Sequence, residues 1–139
     1  MKINTVEFSE LEKTGEFPLD FLAPRMGKVY VIAITRDGCP TCKRQKPKLD
    51  KLARSLEAEY GNRVAFTRIH VSFSPDSQEE SLRSKALLRH YFYPTNLILV
   101  RSGDRGAVEY YRNTAPDMRE LRRNIQKALE VAKFFEKKS

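Results

Sequence analysis

The sequence predicts an α/β domain in which a mixed central sheet is flanked by helices on both faces. Apolar, strand-like runs alternate with amphipathic helical segments, and a hairpin and a final helix complete the chain. Such alternation is typical of parallel strands joined by helices, while a hairpin adds antiparallel strands to the sheet. With 139 residues and no internal repeat, the chain suits a single domain over residues 1–139.

The first half of the chain contains three strand segments and two helices. Alternating residues at 3–8 indicate a short strand, and Ser9–Glu12 has the spacing of a capping box that begins a short helix. Residues 28–35 are apolar on both faces, as in a central strand. Helical spacing of apolar residues extends from Cys39 to Tyr60, and residues 64–71 form a second strand of the buried type.

The second half supplies the remaining helices and the hairpin. Ser77–Glu80 has the spacing of another capping box, which opens a helix that extends to about Tyr91. Residues 96–101 and 107–111 read as two strands joined by a turn. The last helix begins near residues 114–117, where proline and aspartate suit a first helical turn.

Composition and charge exclude several classes of protein. Hydrophobic residues make up 40% of the chain, which is enough for a packed core. No apolar run approaches the roughly 20 residues that span a bilayer, and the N-terminus resembles neither a secretory signal nor a transit peptide. The net charge of +8 favours acidic partners weakly, but no nucleic-acid-binding signature accompanies it. We expect a protein that binds neither nucleic acid nor membrane.

The only two cysteines, Cys39 and Cys42, are separated by two residues. A secreted disulfide scaffold needs more cysteines at wider spacing, and a zinc ribbon needs a second ligand pair. Cysteine usage therefore predicts a cytoplasmic protein with a local dithiol.

The segment Cys39-Pro40-Thr41-Cys42 lies where a buried strand gives way to a helix. Unpaired N–H groups and the positive end of the helix dipole stabilise a thiolate there, and the thiolate is the nucleophilic form of cysteine. Pro40 and Thr41 restrict the small ring that a disulfide would close. Further positive charge follows in the same helix, from Lys43, Arg44 and Lys46.

Two other interpretations of the cysteines compete with a redox dithiol. They could form half of a metal site completed by His70 and His90, although these histidines lack ligand spacing. They could also be inert core residues, which their position and the neighbouring charge disfavour. We expect no bound metal or organic cofactor, because a dithiol is itself a redox centre.

Two further marks accompany the dithiol. Pro47 stands five residues after Cys42, inside the predicted helix, and Tyr93-Pro94-Thr95 directly precedes the apolar strand that contains residues 97–100. With these two prolines, the chain resembles the thioredoxin superfamily over roughly residues 3–135.

The resemblance implies a thioredoxin-like fold and a thiol–disulfide oxidoreductase. Cys39 would attack a substrate disulfide and Cys42 would resolve the mixed disulfide; Cys39 would be the exposed sulfur and Cys42 the shielded one. The resemblance also implies a cis peptide bond before Pro94 and a substrate-binding loop that faces the dithiol. The substrate-binding residues would be Pro40, Thr41, Tyr93, Pro94 and Thr95.

The partners implied are protein thiols and disulfides, together with an upstream reductant or oxidant of unknown identity. We expect a monomer with a role in cell redox homeostasis. The alternative is a non-catalytic module that uses the same fold to dock a partner.

This sequence departs from the family pattern near the dithiol. Gly38 replaces the tryptophan before the first cysteine, and Pro-Thr replaces the usual Gly-Pro pair. Ala33 occupies the position of the family's buried acid, and Arg68 that of its lysine partner. We expect Cys42 to rely on water or on cations such as Arg68 to reach the thiolate state.

The remaining residues of interest have open or structural interpretations. The cluster Tyr91-Phe92-Tyr93 could be an exposed rim or simple packing, although Phe66 and Phe92 look like core residues. His70 is interpreted as a strand side chain rather than a catalytic base. Asp37 could modulate the Cys39 thiol, but a turn-forming role is favoured.

Overall fold

The computed structural model describes residues 3–114 and 117–138, without the side chain of Asp104. Its strands are β1 (Asn4–Glu7), β2 (Val29–Arg36), β3 (Val64–Val71), β4 (Thr95–Arg101) and β5 (Ala107–Asn113). They form one sheet in the order β1-β3-β2-β4-β5. β1, β3 and β2 run parallel, and β4 and β5 are antiparallel additions, which confirms the mixed central sheet.

The helices are α1 (Phe8–Glu12), α2 (Pro18–Leu22), α3 (Pro40–Tyr60), α4 (Glu79–Leu88) and α5 (Met118–Lys138). Short 3-10 turns follow α3 and β4, at Gly61–Arg63 and Gly103–Arg105. Among the described residues, no helix has the length and apolar character that crossing a bilayer requires.

Two hydrophobic clusters lie on the two faces of the sheet. One cluster joins α3 and α5 to the sheet, and Phe66 of β3 is buried in it as expected. The other joins α1, α2 and α4 to the opposite face through side chains such as Phe8, Leu11 and Leu88. Alternate β3 side chains enter different clusters, because successive side chains of a strand point to opposite faces.

Both predicted capping boxes are wrong. α1 begins at Phe8 with no side-chain cap, and α4 begins at Glu79, after Gln78. The carboxylate of Glu80 instead accepts a hydrogen bond from the Ser72 N–H. Contact with the loop after β3 therefore replaces the local cap.

Several element boundaries also differ from expectation. α4 ends at Leu88 rather than near Tyr91, because Arg89 adopts a left-handed conformation with φ of 55°. α2 was not expected, although Pro18 is a favourable first residue for a helix. α5 begins at Met118, so Asp117 precedes the helix and does not lie in its first turn. Its carboxylate accepts the N–H groups of Arg119 and Glu120 at 3.0 and 3.3 Å, as an N-cap residue does. The expectation for Ala115 and Pro116 falls outside the described residues.

Candidate active site

Cys39 and Cys42 form a disulfide at the start of α3, with their Cα atoms 5.3 Å apart. Cys39 is the N-cap residue, with extended backbone angles that bring its side chain over the first turn. The Cys42 N–H donates a hydrogen bond to Sγ of Cys39 at 3.1 Å. This N–H would stabilise negative charge on Sγ of Cys39 in the reduced protein, as orphan donors at a helix N-terminus do.

The expected difference in exposure between the two cysteines is wrong for this disulfide form. Cys39 is 4% exposed and Cys42 8% exposed, so both are buried. The expectation that the position of the two cysteines disfavours burial is therefore wrong as well. Cys39 is covered because the loop before β4 reaches it: the carbonyl oxygen of Tyr93 lies 3.7 Å from its sulfur.

That loop contains the cis peptide bond expected between Tyr93 and Pro94. Pro94 and Thr95 are buried. The Thr95 hydroxyl donates to the carbonyl oxygen of Phe92 at 2.6 Å, so its side chain is occupied within the loop. The arrangement brings Tyr93 to Cys39, while Thr95 supports the loop from inside.

The other two expected binding residues lie in the first turn of α3. Pro40 is exposed and Thr41 half-buried. Arg44 donates to the Thr41 hydroxyl at 3.1 Å and is itself exposed. The surface of the first turns of α3 is therefore positively charged.

The loop before Pro94 presents two aromatic side chains to solvent. Tyr91 is 81% exposed and Phe92 64% exposed, which favours the rim interpretation and corrects the placement of Phe92 in the core. Arg36, at the end of β2, lies over the ring of Phe73 at 3.9 Å and 5.6 Å from the ring centre of Tyr93. These cation–π contacts link the loops on either side of β2.

His90 supports the same loop from the interior. It is 1% exposed, and its Nε2 lies 2.8 Å from the Ser84 hydroxyl. Its ring packs edge-on against Tyr93, with centroids 5.0 Å apart. Burial lowers the pKa of His90 to about 4, so the ring is neutral at physiological pH.

Buried amide side chains form a polar network that begins one turn along α3 from Cys42, at Gln45. Ala33 is buried and pairs across the sheet with Asn96 of β4. Asn96 exchanges two hydrogen bonds with the buried Gln45, at 2.9 and 2.8 Å, and donates a third to Asn113 at 3.0 Å. Amides do not titrate in the physiological range, so this network offers no base to Cys42.

Arg68 takes the place expected from the resemblance, beside Ala33 in the register of β2 and β3. Its guanidinium lies 3.5 Å from the Asp50 carboxylate of α3. Its charge is therefore partly compensated, which weakens the expectation that Arg68 assists Cys42.

Sequence reasoning missed a cluster on the other side of Cys39. The two ring nitrogens of His70 each lie 2.7 Å from a carboxylate oxygen, one of Glu7 and one of Asp37. The hydrogen bond that His70 donates to Glu7, and after it the one donated to Asp37, raises the pKa of His70. The hydrogen bond from His70, followed by that from the Phe73 N–H, lowers the pKa of Asp37. The signal available in the sequence was the position of His70 near the end of a strand parallel to the one that leads into Cys39.

No arrangement of three His, Cys, Asp or Glu side chains suited to a metal ion occurs within residues 3–114 and 117–138. His70 and His90 have separate partners, as described above.

By sequence, neither a family model nor a curated protein matches the chain. By structure, it is similar to Chlamydomonas reinhardtii thioredoxin f2, with a TM-score of 0.61 and 16% identity over 91% of this chain and 96% of that chain. Fasciola hepatica thioredoxin gives a TM-score of 0.58 at 17% identity, over 90% of this chain and 98% of that one. The Trx4 domain of ERdj5 gives 0.63 at 11% identity, over 93% and 96%.

These similarities, together with the sheet order and the flanking helices, show that the chain has a thioredoxin-like fold. The Cys39–Cys42 disulfide has the spacing of a redox dithiol at the start of the helix that follows β2.

Proposed function

We propose that the protein is a thiol–disulfide oxidoreductase that exchanges electrons with protein substrates through Cys39 and Cys42. The observation that carries the proposal is the disulfide at the N-terminus of α3, with the Tyr93 carbonyl oxygen 3.7 Å from the sulfur of Cys39. Helix N-termini stabilise thiolates, and the thiolate is the reactive form.

In the reductive direction, the reaction begins with both cysteines reduced. The Cys39 thiolate attacks one sulfur of a substrate disulfide; a mixed disulfide forms and the substrate S–S bond breaks, releasing a substrate thiolate. The Cys42 thiolate then attacks Sγ of Cys39 and releases the second substrate thiolate. Two electrons pass to the substrate, the two protons come from the protein thiols, and the Cys39–Cys42 disulfide remains. The same steps in reverse oxidise a substrate dithiol.

The substrate chain would lie along the exposed face of the loop and the first turn of α3. Tyr93 and Pro94 would contact it from the loop, with Thr95 holding the loop in shape, and Pro40 and Thr41 would contact it from the helix. The exposed rings of Tyr91 and Phe92 supply apolar surface at the edge of this path. The proposal also includes an upstream reductant or oxidant that acts on the dithiol. The protein would be a single-domain monomer in the cytoplasm with a role in redox homeostasis.

The test is reduction of a model protein disulfide by the reduced protein. Cys39→Ser should abolish reduction, because the attacking sulfur is lost and Cys42 acts only as the resolving cysteine. Cys42→Ser should accumulate a covalent mixed disulfide with the substrate. Ser55→Ala, at an exposed position in the second half of α3, is the matched control and should react as the wild type does.

Because Cys39 and Cys42 are the only cysteines, mass spectrometry of the trapped species assigns the attacking sulfur without ambiguity. A trapped adduct on Cys42 in the Cys39→Ser variant, with none on Cys39 in Cys42→Ser, would reverse the roles. A protein that forms neither adduct and reduces nothing would instead be a binding module. Equilibration of the couple with glutathione then gives the direction of the reaction.

A further inference from the structure

The turn that leads into Cys39 is tied to the sheet by ionisable side chains. Asp37 Oδ1 lies 2.7 Å from Nε2 of His70, and its Oδ2 accepts the Phe73 N–H at 3.2 Å. The other ring nitrogen of His70 lies 2.7 Å from Glu7. Glu7 is the residue directly opposite His70 in the register of β1 and β3. Three segments of the chain therefore meet at one imidazole.

The geometry favours the charged form of that imidazole. A neutral imidazole carries one N–H, whereas an imidazolium carries two. Both ring nitrogens of His70 face carboxylate oxygens, so only the imidazolium donates to Glu7 and Asp37 together. The raised pKa of His70 and the lowered pKa of Asp37 agree with this assignment.

Asp37 is also close to the proposed nucleophile. Only Gly38 separates it from Cys39, so the two Cα atoms lie within about 7 Å of each other. A carboxylate without a counter-ion at this position would oppose formation of a thiolate on Cys39, since like charges disfavour each other.

The other charged groups around β3 have partners of their own. On the α3 side, Asp50 pairs with Arg68, and on the α1 and α4 side, Glu12 pairs with Arg83 and Glu10 with Lys13. Arg36, at the end of β2, lies over Phe73 and donates to the Asp37 backbone carbonyl. From α4, Glu80 accepts the Ser72 N–H. The groups in hydrogen-bonding contact with the His70 ring are Glu7 and Asp37.

We propose that His70 is a positioning residue for the dithiol: as an imidazolium held between Glu7 and Asp37, it fixes the turn before Cys39 and neutralises Asp37, which favours the Cys39 thiolate. The inference rests on the proposed role of Cys39 as nucleophile. When pH rises and His70 loses its proton, one of its two hydrogen bonds is lost and the negative charge of Asp37 is no longer offset by the imidazolium. Ionisation of Cys39 and ionisation of His70 are therefore coupled.

The test measures ionisation of Cys39 in the reduced protein through the pH dependence of its alkylation by iodoacetamide. The Cys42→Ser background leaves Cys39 as the single thiol. His70→Gln should move the midpoint of this profile upward by about half a pH unit, which is about a threefold smaller thiolate fraction below the midpoint. His70→Arg retains a positive charge between the two carboxylates, so it is the matched control and should keep the midpoint near that of the parent.

A second substitution identifies Asp37 as the group through which His70 acts. In an Asp37→Asn background, His70→Gln should no longer move the midpoint, because no carboxylate remains to be neutralised. An unchanged midpoint in His70→Gln alone would overturn the proposal. An equal shift with and without the Asp37 carboxylate would overturn it too.

A third measurement needs no substitution in the cluster. The His70 imidazole is titrated by NMR in two forms of the reduced Cys42→Ser protein, one with Cys39 free and one with Cys39 alkylated. Coupling between two sites is reciprocal, so His70 should hold its proton to higher pH when the Cys39 thiolate is present. Identical titrations would overturn the proposal. Both readouts report ionisation rather than turnover, so a protein with coupled titrations and no exchange activity would contradict the proposed function alone.

Discussion

The two histidines support the two segments that lie against Cys39, and they differ in charge. His90 is a neutral ring, and His70 is the proposed imidazolium. His90 is fully buried behind the Tyr93 loop, where Ser84 and the edge of an aromatic ring surround it. His70 is partly exposed behind the Asp37 turn, between two carboxylates. Burial lowers the pKa of His90 to about 4, while the hydrogen bonds to Glu7 and Asp37 raise that of His70.

The difference shows that surroundings, and not residue type, decide which side of the dithiol can respond to pH. The Tyr93 loop is supported by the neutral ring of His90, and the interior next to α3 contains the amides of Gln45 and Asn96. None of these groups changes its charge above mildly acidic pH. Among the described residues, His70 beside the Asp37 turn is the one group whose pKa is raised from a usual value near neutrality. A pH response of Cys39 near neutrality should therefore come from the turn side.

The largest effect should come from His90 in acid. The unfolded chain binds a proton at His90 near pH 6.5 and the folded chain only near pH 4, so stability is lost as pH falls through that window. The loss should approach about 3 kcal/mol, because each pKa unit corresponds to about 1.4 kcal/mol. The measurement is the free energy of unfolding in urea at several pH values between 4 and 7.5.

His90→Gln is the control, because it removes the titrating group and can still reach Ser84. Carboxylates titrate in the same range in both proteins, so the difference between wild type and variant isolates His90. The stability advantage of the wild type over His90→Gln should therefore decrease as pH falls. A difference independent of pH would mean that His90 has the same pKa in the folded and the unfolded chain, and the contrast with His70 would disappear.

The fold could be predicted from the sequence because its main signals are local. The β-branched run at residues 28–35, helical spacing after Cys39 and the residues Tyr93-Pro94-Thr95 specify elements that then fit together in one way. The site was predicted only where it follows chain order. Cys39 and Cys42 are close in sequence, whereas Glu7, Asp37 and His70 meet only through the pairing of β3 with both β1 and β2, which no local pattern reports.

The failed expectations have the same origin. Glu80 has the spacing of a capping residue, but it is satisfied by Ser72 across a loop. Phe92 has the apolar side chain of a typical core residue. Pro94 and Thr95 are the buried residues of this loop, however, and Phe92 is exposed. Gln45 and Asn96 are 51 positions apart, so their reciprocal hydrogen bonds could not be read from spacing.

A smaller effect is expected from placing an acid on the neutral interior side. Ala33→Asp introduces a carboxylate opposite Asn96, at the position where the resemblance places the family's buried acid, and from there it could accept the proton of Cys42 during resolution. We expect release of a trapped mixed disulfide to become about tenfold faster near pH 7, which is about 1.4 kcal/mol in barrier. The wild-type rate should be slow at that pH and rise towards about pH 8.5, the usual pKa of a thiol.

Ala33→Asn is the matched control, since it adds a side chain of the same size without a base. The measurement is single-turnover release between pH 6 and 9. A wild-type rate that is already fast and independent of pH would show that the interior contains a base after all. Equal rates for the Asp and Asn variants would show that the added carboxylate does not act on Cys42.

The smallest effect should be that of His70 on stability, and its sign should be opposite to that of His90. The folded pKa of His70 lies above the unfolded value of 6.5, so its contribution is fully present below pH 6.5 and is lost as pH rises through the folded pKa. The pairs are partly exposed, so the contribution should be under about 1 kcal/mol. Comparing urea unfolding of wild type and His70→Gln at pH 6 and pH 9 measures this contribution.

The wild type should be more stable than His70→Gln by a larger margin at pH 6, and this margin should shrink at about 1 M salt, where the Debye length falls to about 3 Å. His90→Gln, whose cost comes from buried neutral contacts, should show little dependence on salt. An advantage of His70 that grows with pH, or that survives high salt unchanged, would mean that the ring acts by packing and not as an imidazolium between Glu7 and Asp37.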